Sequence, residues 1–325
     1  MIGSWRRTFS KCSRAERTKA RKIDSSVNAA FKLKMAKQLG GKVAREHGYT
    51  DLPVDPARIA AANAITVMAK PDTAKGVSGM LLRHGDNFGI MYATHVHSEG
   101  FRRFSIAHEL GHFFLDGHID QIMSESDIHA SKAGFASGDI YEMEADNFAS
   151  GLLMPERMFK RQLGKADPGF AAVEHVAGVC MTSLEATAIR YAELTEDAIA
   201  VVLSTGEKVD YCCLSDGIKS VRGLSWLKRG EPVPKDTATA AFNQDRDRIL
   251  SADRDEGEID LLDWLGGEKS VLATEEVIGL GSYGKTLTIL HCPSIVDETY
   301  SDEVHDEESE EAMIDRWTPH LGKRK

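Results

Sequence analysis

Hydrophobic residues recur every three to four positions through much of the first two thirds of the chain, and several shorter segments are rich in strand-forming residues. The first pattern predicts helices and the second predicts strands. Helices are predicted at 26–47, 53–62, 101–118, 156–163, 170–180 and 183–194, and strands at 65–68, 76–82, 87–93, 198–203, 208–214 and 286–291. The pair Gly40-Gly41 is expected to interrupt the first helix. Helices and hairpins in this arrangement predict an α+β fold.

The stretch 101–118 carries the most informative motif of the chain. Its sequence, FRRFSIAHELGHFFLDGH, is apolar on most sides of a helix, as expected for a buried element. Residues four apart share a helix face, so His108 and His112 can both offer a ring nitrogen to one tetrahedral Zn²⁺. Glu109 would then lie beside the metal, where a general base takes a proton from the attacking water. The spacing therefore predicts a zinc hydrolase site.

A catalytic zinc site normally has three protein ligands, so a third residue is required. Glu142 is one candidate, because Asp146 follows it by one helical turn and can hydrogen-bond a ligating histidine from behind. His118 is another, at the third-histidine spacing of H-E-x-x-H-x-x-G-x-x-H enzymes, although Leu115 stands where that pattern has glycine. The remaining candidate is Glu144, which lies two residues after Glu142 and therefore on another face of the helix. The pairing with Asp146 favours Glu142.

The segment AHELGHFFL, followed by YEMEADNFASGLLMP, resembles the ImmA/IrrE family of zinc endopeptidases. The resemblance extends over residues 30–215. It implies a zincin-like peptidase fold in which His108 and His112 are zinc ligands and Glu109 is the base. It also implies that Glu142 is the third ligand. Members of the family typically cleave a helix-turn-helix repressor, expected here to be encoded nearby, and so induce genes for DNA-damage and other stress responses, mobile-element transfer or phage defence.

Composition narrows the function classes further. The net charge of −10 argues against a protein that coats nucleic acid non-specifically. The five cysteines are odd in number and form no C-x-x-C pair, which is typical of reduced thiols and predicts a cytoplasmic location. No apolar run reaches the length of about 18 residues that a spanning helix needs, so no membrane span is expected.

The sequence predicts five consecutive regions. A disordered basic arm (1–25) precedes a zincin-like metallopeptidase domain (26–154) and a helical extension (155–196). The last two helices of the extension resemble a helix-turn-helix, but SLEATAIRYAEL has poor electrostatics for a DNA groove, so a unit that completes the peptidase is favoured. A separate C-terminal α+β domain (197–296), GAF-like in type, is expected to sense a nucleic-acid or small-molecule activator. A disordered acidic tail (297–325) follows.

Zinc hydrolases often hold an extended substrate by main-chain pairing to an edge strand beside the active-site helix. The strand segment 88–94 is the candidate, with Phe88, Ile90 and Tyr92 as substrate-binding residues. The polar segment 116–138 is expected to be a loop over the cleft. Two rival functions stay open: a catalytically idle zinc-binding module that sequesters a regulator, and a DNA-binding regulator. Glu109 argues against the first, because a structural zinc site has no use for a base.

Overall fold

The computed structural model describes residues 14–70, 76–96, 98–131, 139–268 and 270–293, without the side chains of 14–28. Residues 1–13 of the predicted basic arm and the predicted acidic tail at 297–325 lie outside these ranges. The first helix, α1, begins at Arg14 and ends at Glu46, so it includes residues 14–25 of the predicted arm. Within the described ranges, no helix is long and apolar enough to cross a membrane.

The first part of the chain combines helices with a four-stranded sheet. After α1, its elements are α2 Pro56–Ala62, β1 Thr66–Ala69, β2 Gly79–His84, β3 Asn87–Tyr92, α3 Glu99–Phe114, α4 His118–Ile122, β4 Ile128–Ser131 and α5 Ile140–Leu153. The strand order is β1-β3-β2-β4, with β1 parallel to β3 and the other neighbours antiparallel. Helix α3 packs against both β2 and α5. The predicted polar loop therefore contains a short helix and a strand.

The second part begins with three helices and continues as a five-stranded sheet. Its elements are α6 Glu156–Leu163, α7 Phe170–Cys180, α8 Leu184–Leu194, β5 Ile199–Thr205, β6 Lys208–Leu214, α9 Asp216–Lys219, α10 Ala238–Phe242, α11 Arg246–Leu250, β7 Arg254–Asp260, α12 Leu261–Leu265, β8 Leu272–Gly279, a 3-10 turn at Gly281–Tyr283, and β9 Thr286–His291. The strand order is β6-β5-β9-β8-β7, antiparallel throughout. Helices α6 to α8 and strand β9 lie where the sequence pattern predicts them.

Helix α1 crosses α5 at two glycines. A Cβ atom on Gly40 would lie 2.7 Å from the backbone nitrogen of Leu152, and one on Gly151 would lie 2.8 Å from the carbonyl carbon of Lys37. Both distances are far shorter than a van der Waals contact, so the two backbones can approach this closely only without side chains. The expected interruption at Gly40-Gly41 is therefore wrong: the helix continues through the pair, which serves the packing of α1 on α5.

The two sheets share one hydrophobic core. Strand β5 is buried on both faces, and its residues Ile199 and Val201 belong to the same cluster as Val176 of α7, Tyr191 of α8 and Leu110 of α3. The other face of the strand packs into a second cluster that is capped by α12. The expectation of a separate C-terminal domain is therefore wrong in one respect, since residues of β5, β8 and β9 complete the hydrophobic core that contains α3. Its likeness to a GAF domain stays a prediction.

Helix α8 is enclosed by the rest of the protein. None of its residues is exposed, and its Arg190 is buried, with its guanidinium donating to Glu193 and to the carbonyl of Met154. A DNA recognition helix must present one face to the groove. The packing of α8 against the core agrees with a unit that completes the fold of the first part of the chain and disfavours a recognition helix.

Candidate active site

Helix α3 holds the two histidines of the motif. Ser98 begins the helix, because its hydroxyl oxygen accepts a hydrogen bond from the backbone N–H of Phe101. His108 and His112 lie one turn apart on the buried face, with their Nε2 atoms 3.2 Å from each other. Two ring nitrogens this close on one helix face have the spacing of a pair of ligands to one metal ion.

Helix α5 brings a carboxylate to the same point. Asp139 caps this helix by accepting from the N–H of Tyr141, which places Glu142 in the first turn. The carboxylate oxygens of Glu142 lie 3.4 Å from His108 Nε2 and 3.4 Å from His112 Nε2. Ligands about 2.0–2.1 Å from a tetrahedral zinc are roughly 3.4 Å from one another. The three donor atoms therefore fit Zn²⁺ in both kind and spacing.

Each of the two candidate ligand histidines is held through its other ring nitrogen. His108 Nδ1 donates to Asp146 Oδ1 at 2.7 Å. His112 Nδ1 lies 3.1 Å from His118 Nδ1, and His118 Nε2 donates to Glu144 Oε2 at 2.8 Å. Such partners fix the orientation and tautomer of a metal-binding imidazole. His118 and Glu144, the two alternatives for third ligand, therefore lie behind His112 and hold it in place.

The ionisation of the three groups suits a metal site. Burial lowers the pKa of His112 to about 3, which keeps this imidazole neutral. Burial would also lower the pKa of His108, but its hydrogen bonds to Asp146 and Glu142 outweigh that effect and raise the pKa to about 10. The pKa of Glu142 is lowered despite burial, because His108, His112 and His129 all hydrogen-bond its carboxylate. Binding of a metal ion here therefore competes with a proton on His108.

Glu109 is fully buried beside these donors, and its carboxylate oxygens make no hydrogen bond of good geometry with the described residues, although the Ser131 hydroxyl lies close enough to act on the carboxylate. Burial raises the pKa of Glu109 to about 7, against the opposing effects of His108, the Ser131 hydroxyl and His129. Gly79 of β2 lies directly against the carboxylate: a Cβ there would come within 3.1 Å of Glu109 Cγ. An orphaned carboxyl group of this kind is costly in a folded protein and points to a catalytic role.

His129 of β4 also reaches the site, although nothing in the local sequence singled it out. Its Nε2 lies 3.0 Å from Glu142 Oε1, and its ring centroid lies 4.8 Å from that of His112. Leu81 of β2 pairs with it across the sheet. Only the order and register of the strands bring this histidine to the metal ligands. An isolated His in a short polar stretch gives no such signal in the sequence.

The predicted substrate strand is wrong. Strand β3, which carries Phe88, Ile90 and Tyr92, lies between β1 and β2 and is therefore not an edge of the sheet. Ile90 is fully buried, Phe88 packs edge-on against Phe113, and Tyr92 lies under the guanidinium of Arg102. The edge that borders the candidate site is β4.

Comparison with known proteins gives one family match and one similar fold. Residues 60–187 match the family model Peptidase_M78, described as an IrrE N-terminal-like domain, and this segment includes every residue of the candidate metal centre. A solved structure of a Mycobacterium tuberculosis transcriptional regulator is similar in fold, with a TM-score of 0.52 and 15% sequence identity over 84% of this chain and 80% of that chain. A search of the curated proteins gave no match.

Proposed function

We propose that this chain, whose residues 60–187 form an IrrE N-terminal-like domain of the Peptidase_M78 family, is a zinc endopeptidase that hydrolyses a peptide bond in a partner protein. One observation carries the proposal: the buried, unpaired carboxylate of Glu109 next to the cluster of His108, His112 and Glu142. A site built only to bind zinc needs the cluster but gains nothing from the carboxylate.

Zinc bound by His108, His112 and Glu142 would supply Lewis acidity, which polarises the substrate carbonyl and lowers the pKa of the attacking water. Glu109 takes a proton from that water as the new oxygen–carbon bond forms and the carbonyl electron pair moves onto oxygen. The carbon–nitrogen bond then breaks, and Glu109 passes the proton to the leaving nitrogen. A carboxyl group whose pKa lies near 7 can serve in both steps at neutral pH.

The substrate is proposed to bind in extended form along β4. This strand pairs with β2 on one side, and among the described residues no strand pairs with its other side. Unpaired N–H and C=O groups at such an edge can accept an added peptide strand. Alternation along β4 directs His129 and Ser131 to the same face, where the metal ligands and Glu109 lie. A peptide added there passes beside the proposed base.

The partner is proposed to be a helix-turn-helix repressor encoded nearby, cleaved in the cytoplasm to induce a stress, mobile-element or phage-defence response. The family resemblance supports this substrate class. Regulation is proposed to come from the region after residue 197, through a nucleic-acid or small-molecule activator. Support for that link is physical: β5 and β9 lie in the same hydrophobic cluster as the active-site helix, so a change in the second sheet reaches α3 through continuous packing.

The rivals are a catalytically idle zinc module and a DNA-binding regulator that acts without cleavage. The unpaired Glu109 disfavours the first, and the enclosed helix α8 disfavours the second. A comparison of the wild-type chain with Glu109→Gln, each expressed with its genomic neighbours, discriminates among all three. New protein N-termini, labelled chemically and identified by mass spectrometry, are expected only with the wild type. Identical sets of N-termini from the two strains would refute the peptidase and leave a binding function.

A further inference from the structure

His129 belongs to the more open side of the site. Its side chain is 16% exposed and that of Glu142 is 15% exposed, whereas those of His108 and His112 are at most 1% exposed. A substrate carbonyl reaches the centre only from the accessible side. His129 is therefore positioned to touch a bound peptide, which the two buried histidines cannot do.

The hydrogen-bonding state of His129 follows from its partner. The Nε2 atom of His129 lies 3.0 Å from Glu142 Oε1, within hydrogen-bond distance, and because a carboxylate can only accept hydrogen bonds, the matching arrangement has an N–H on this nitrogen. The ring thus presents an N–H donor toward the cluster of metal ligands. A small turn of the ring moves this N–H from Glu142 to an oxygen bound beside it, and a donor held this close to the site stabilises a developing negative charge.

Zinc ligation does not require a fourth protein residue. His108, His112 and Glu142 already complete the usual three, and a catalytic centre keeps its fourth position for water or substrate. His129 also comes from β4, the strand along which the peptide is proposed to lie. A side chain on β4 therefore keeps a fixed register relative to a peptide that pairs with this strand.

We propose that His129 is a catalytic residue that donates its Nε2–H to the carbonyl oxygen of the scissile bond as negative charge develops there. The inference rests on the proposed peptidase function for its chemistry. The geometry also allows a narrower role, in which His129 only positions Glu142. The two roles differ in a measurable way, because a positioning residue acts through zinc affinity whereas an oxyanion donor does not.

The test uses zinc-loaded full-length protein in four forms: wild type, His129→Phe, His129→Gln and His84→Ala. Phenylalanine keeps the ring shape without a donor, glutamine restores an N–H, and His84 is an exposed histidine at the far end of β2. Zinc affinity is measured by competition with a chromogenic chelator. Affinity for N-phosphoryl-leucine, a tetrahedral oxyanion probe, is measured by calorimetry. The values of kcat and KM are measured on the cleavage sequence found from the new N-termini.

We expect His129→Phe to keep its zinc affinity, to bind the probe about 10- to 100-fold more weakly, and to lose about 10²- to 10³-fold in kcat with little change in KM. Partial recovery in His129→Gln and none of these losses in His84→Ala are expected as well. Equal probe binding by wild type and His129→Phe, or no probe binding by the zinc-loaded wild type, would overturn the inference. A parallel loss of zinc affinity would instead assign His129 to positioning Glu142.

Failure of the proposed peptidase function can be distinguished from failure of the proposed role of His129. If wild type binds zinc and cleaves nothing, the proposed function fails, but the comparison of probe affinity still decides whether His129 is an oxyanion donor.

Discussion

Gly79 offers a sharp test of the proposed base, because the absence of a side chain there makes room for the Glu109 carboxylate. A Cβ atom at this position would lie 3.1 Å from Glu109 Cγ and 3.2 Å from Cδ, and closer still to Oε1. Carbon atoms in ordinary contact are about 3.5–4.0 Å apart. Gly79→Ala must therefore displace the carboxylate, by on the order of 1 Å, while the histidines on the same helix keep their partners.

A displacement of the Glu109 carboxylate by this distance should greatly reduce the rate of cleavage and have little effect on zinc binding. A misplacement of about 1 Å in a reacting group costs roughly 10²-fold in rate. The proposed zinc ligands are His108, His112 and Glu142, whereas the three atoms nearest to the new methyl group all belong to Glu109. We therefore expect Gly79→Ala to lose about 10²-fold in kcat and to retain one equivalent of zinc.

Gly89→Ala is the matched control on the neighbouring strand β3. Its added Cβ would make only ordinary contacts, 3.6 Å from the carbonyl oxygen of Thr66 and 3.9 Å from Leu82 Cδ1. Replacement of a strand glycine without strain stabilises by about 0.5–1 kcal/mol. The assay compares both variants with wild type for zinc content, urea unfolding and cleavage of the identified partner.

Two results would refute the reasoning about Gly79. Wild-type activity in Gly79→Ala would mean that Glu109 does not need its observed position. Loss of zinc together with activity would mean that Gly79 supports the whole site and does not specifically accommodate the base.

Three further predictions follow from the structure. Asp146→Ala should lower zinc affinity about 10- to 100-fold without unfolding the protein, because His108 loses the partner that orients it; unchanged affinity in the chelator competition would exclude that role. Gly151→Ala should reduce the free energy of unfolding by about 1–3 kcal/mol or more, since α1 blocks the new methyl group, whereas Gly178→Ala, open on α7, should raise it by about 0.5–1 kcal/mol in the same urea titration. Zinc removal with EDTA should lower the thermal midpoint of wild type and leave that of His112→Ala unchanged; equal shifts would place the metal elsewhere.

The spacing of residues along the sequence was sufficient to predict which site residues lie together on each helix. His108, Glu109 and His112 lie within one turn of a helix, and Glu142 and Asp146 within one turn of another, so each set is brought together by the helical repeat alone. The structure brings the two sets together in the way the pattern implies. The roles of these residues as ligands and base stay predictions until metal and activity are measured.

Features that depend on sheet order could not be read from the sequence. Strand β4 has only four residues, too few for a clear alternation, and its position beside β2 makes it the edge in place of β3. His129 and Gly79 reach the site through that arrangement, so neither carries a local signal. The glycines of α1 posed a similar problem, because a glycine that breaks a helix and one that admits a neighbouring helix look alike until the neighbour is known.

The extent of the hydrophobic core could not be predicted from the sequence either. A boundary near residue 197 follows from the change from helices to strands, but the pattern cannot show that β5 is buried on both faces and shares a cluster with α7 and α8. Deletion of the region after β6 would remove β9 and its contacts with that cluster. Point substitutions are therefore better suited than truncation to a test of regulation by the second sheet.

The central claim is that Glu109 acts as the base of a zinc peptidase, and the most direct measurement is cleavage of the identified partner by purified, zinc-loaded wild type and Glu109→Gln. The account predicts one equivalent of zinc in both proteins, a cut at the same bond as in cells for wild type, and a loss of several orders of magnitude for the variant. Undiminished cleavage by zinc-loaded Glu109→Gln would contradict it.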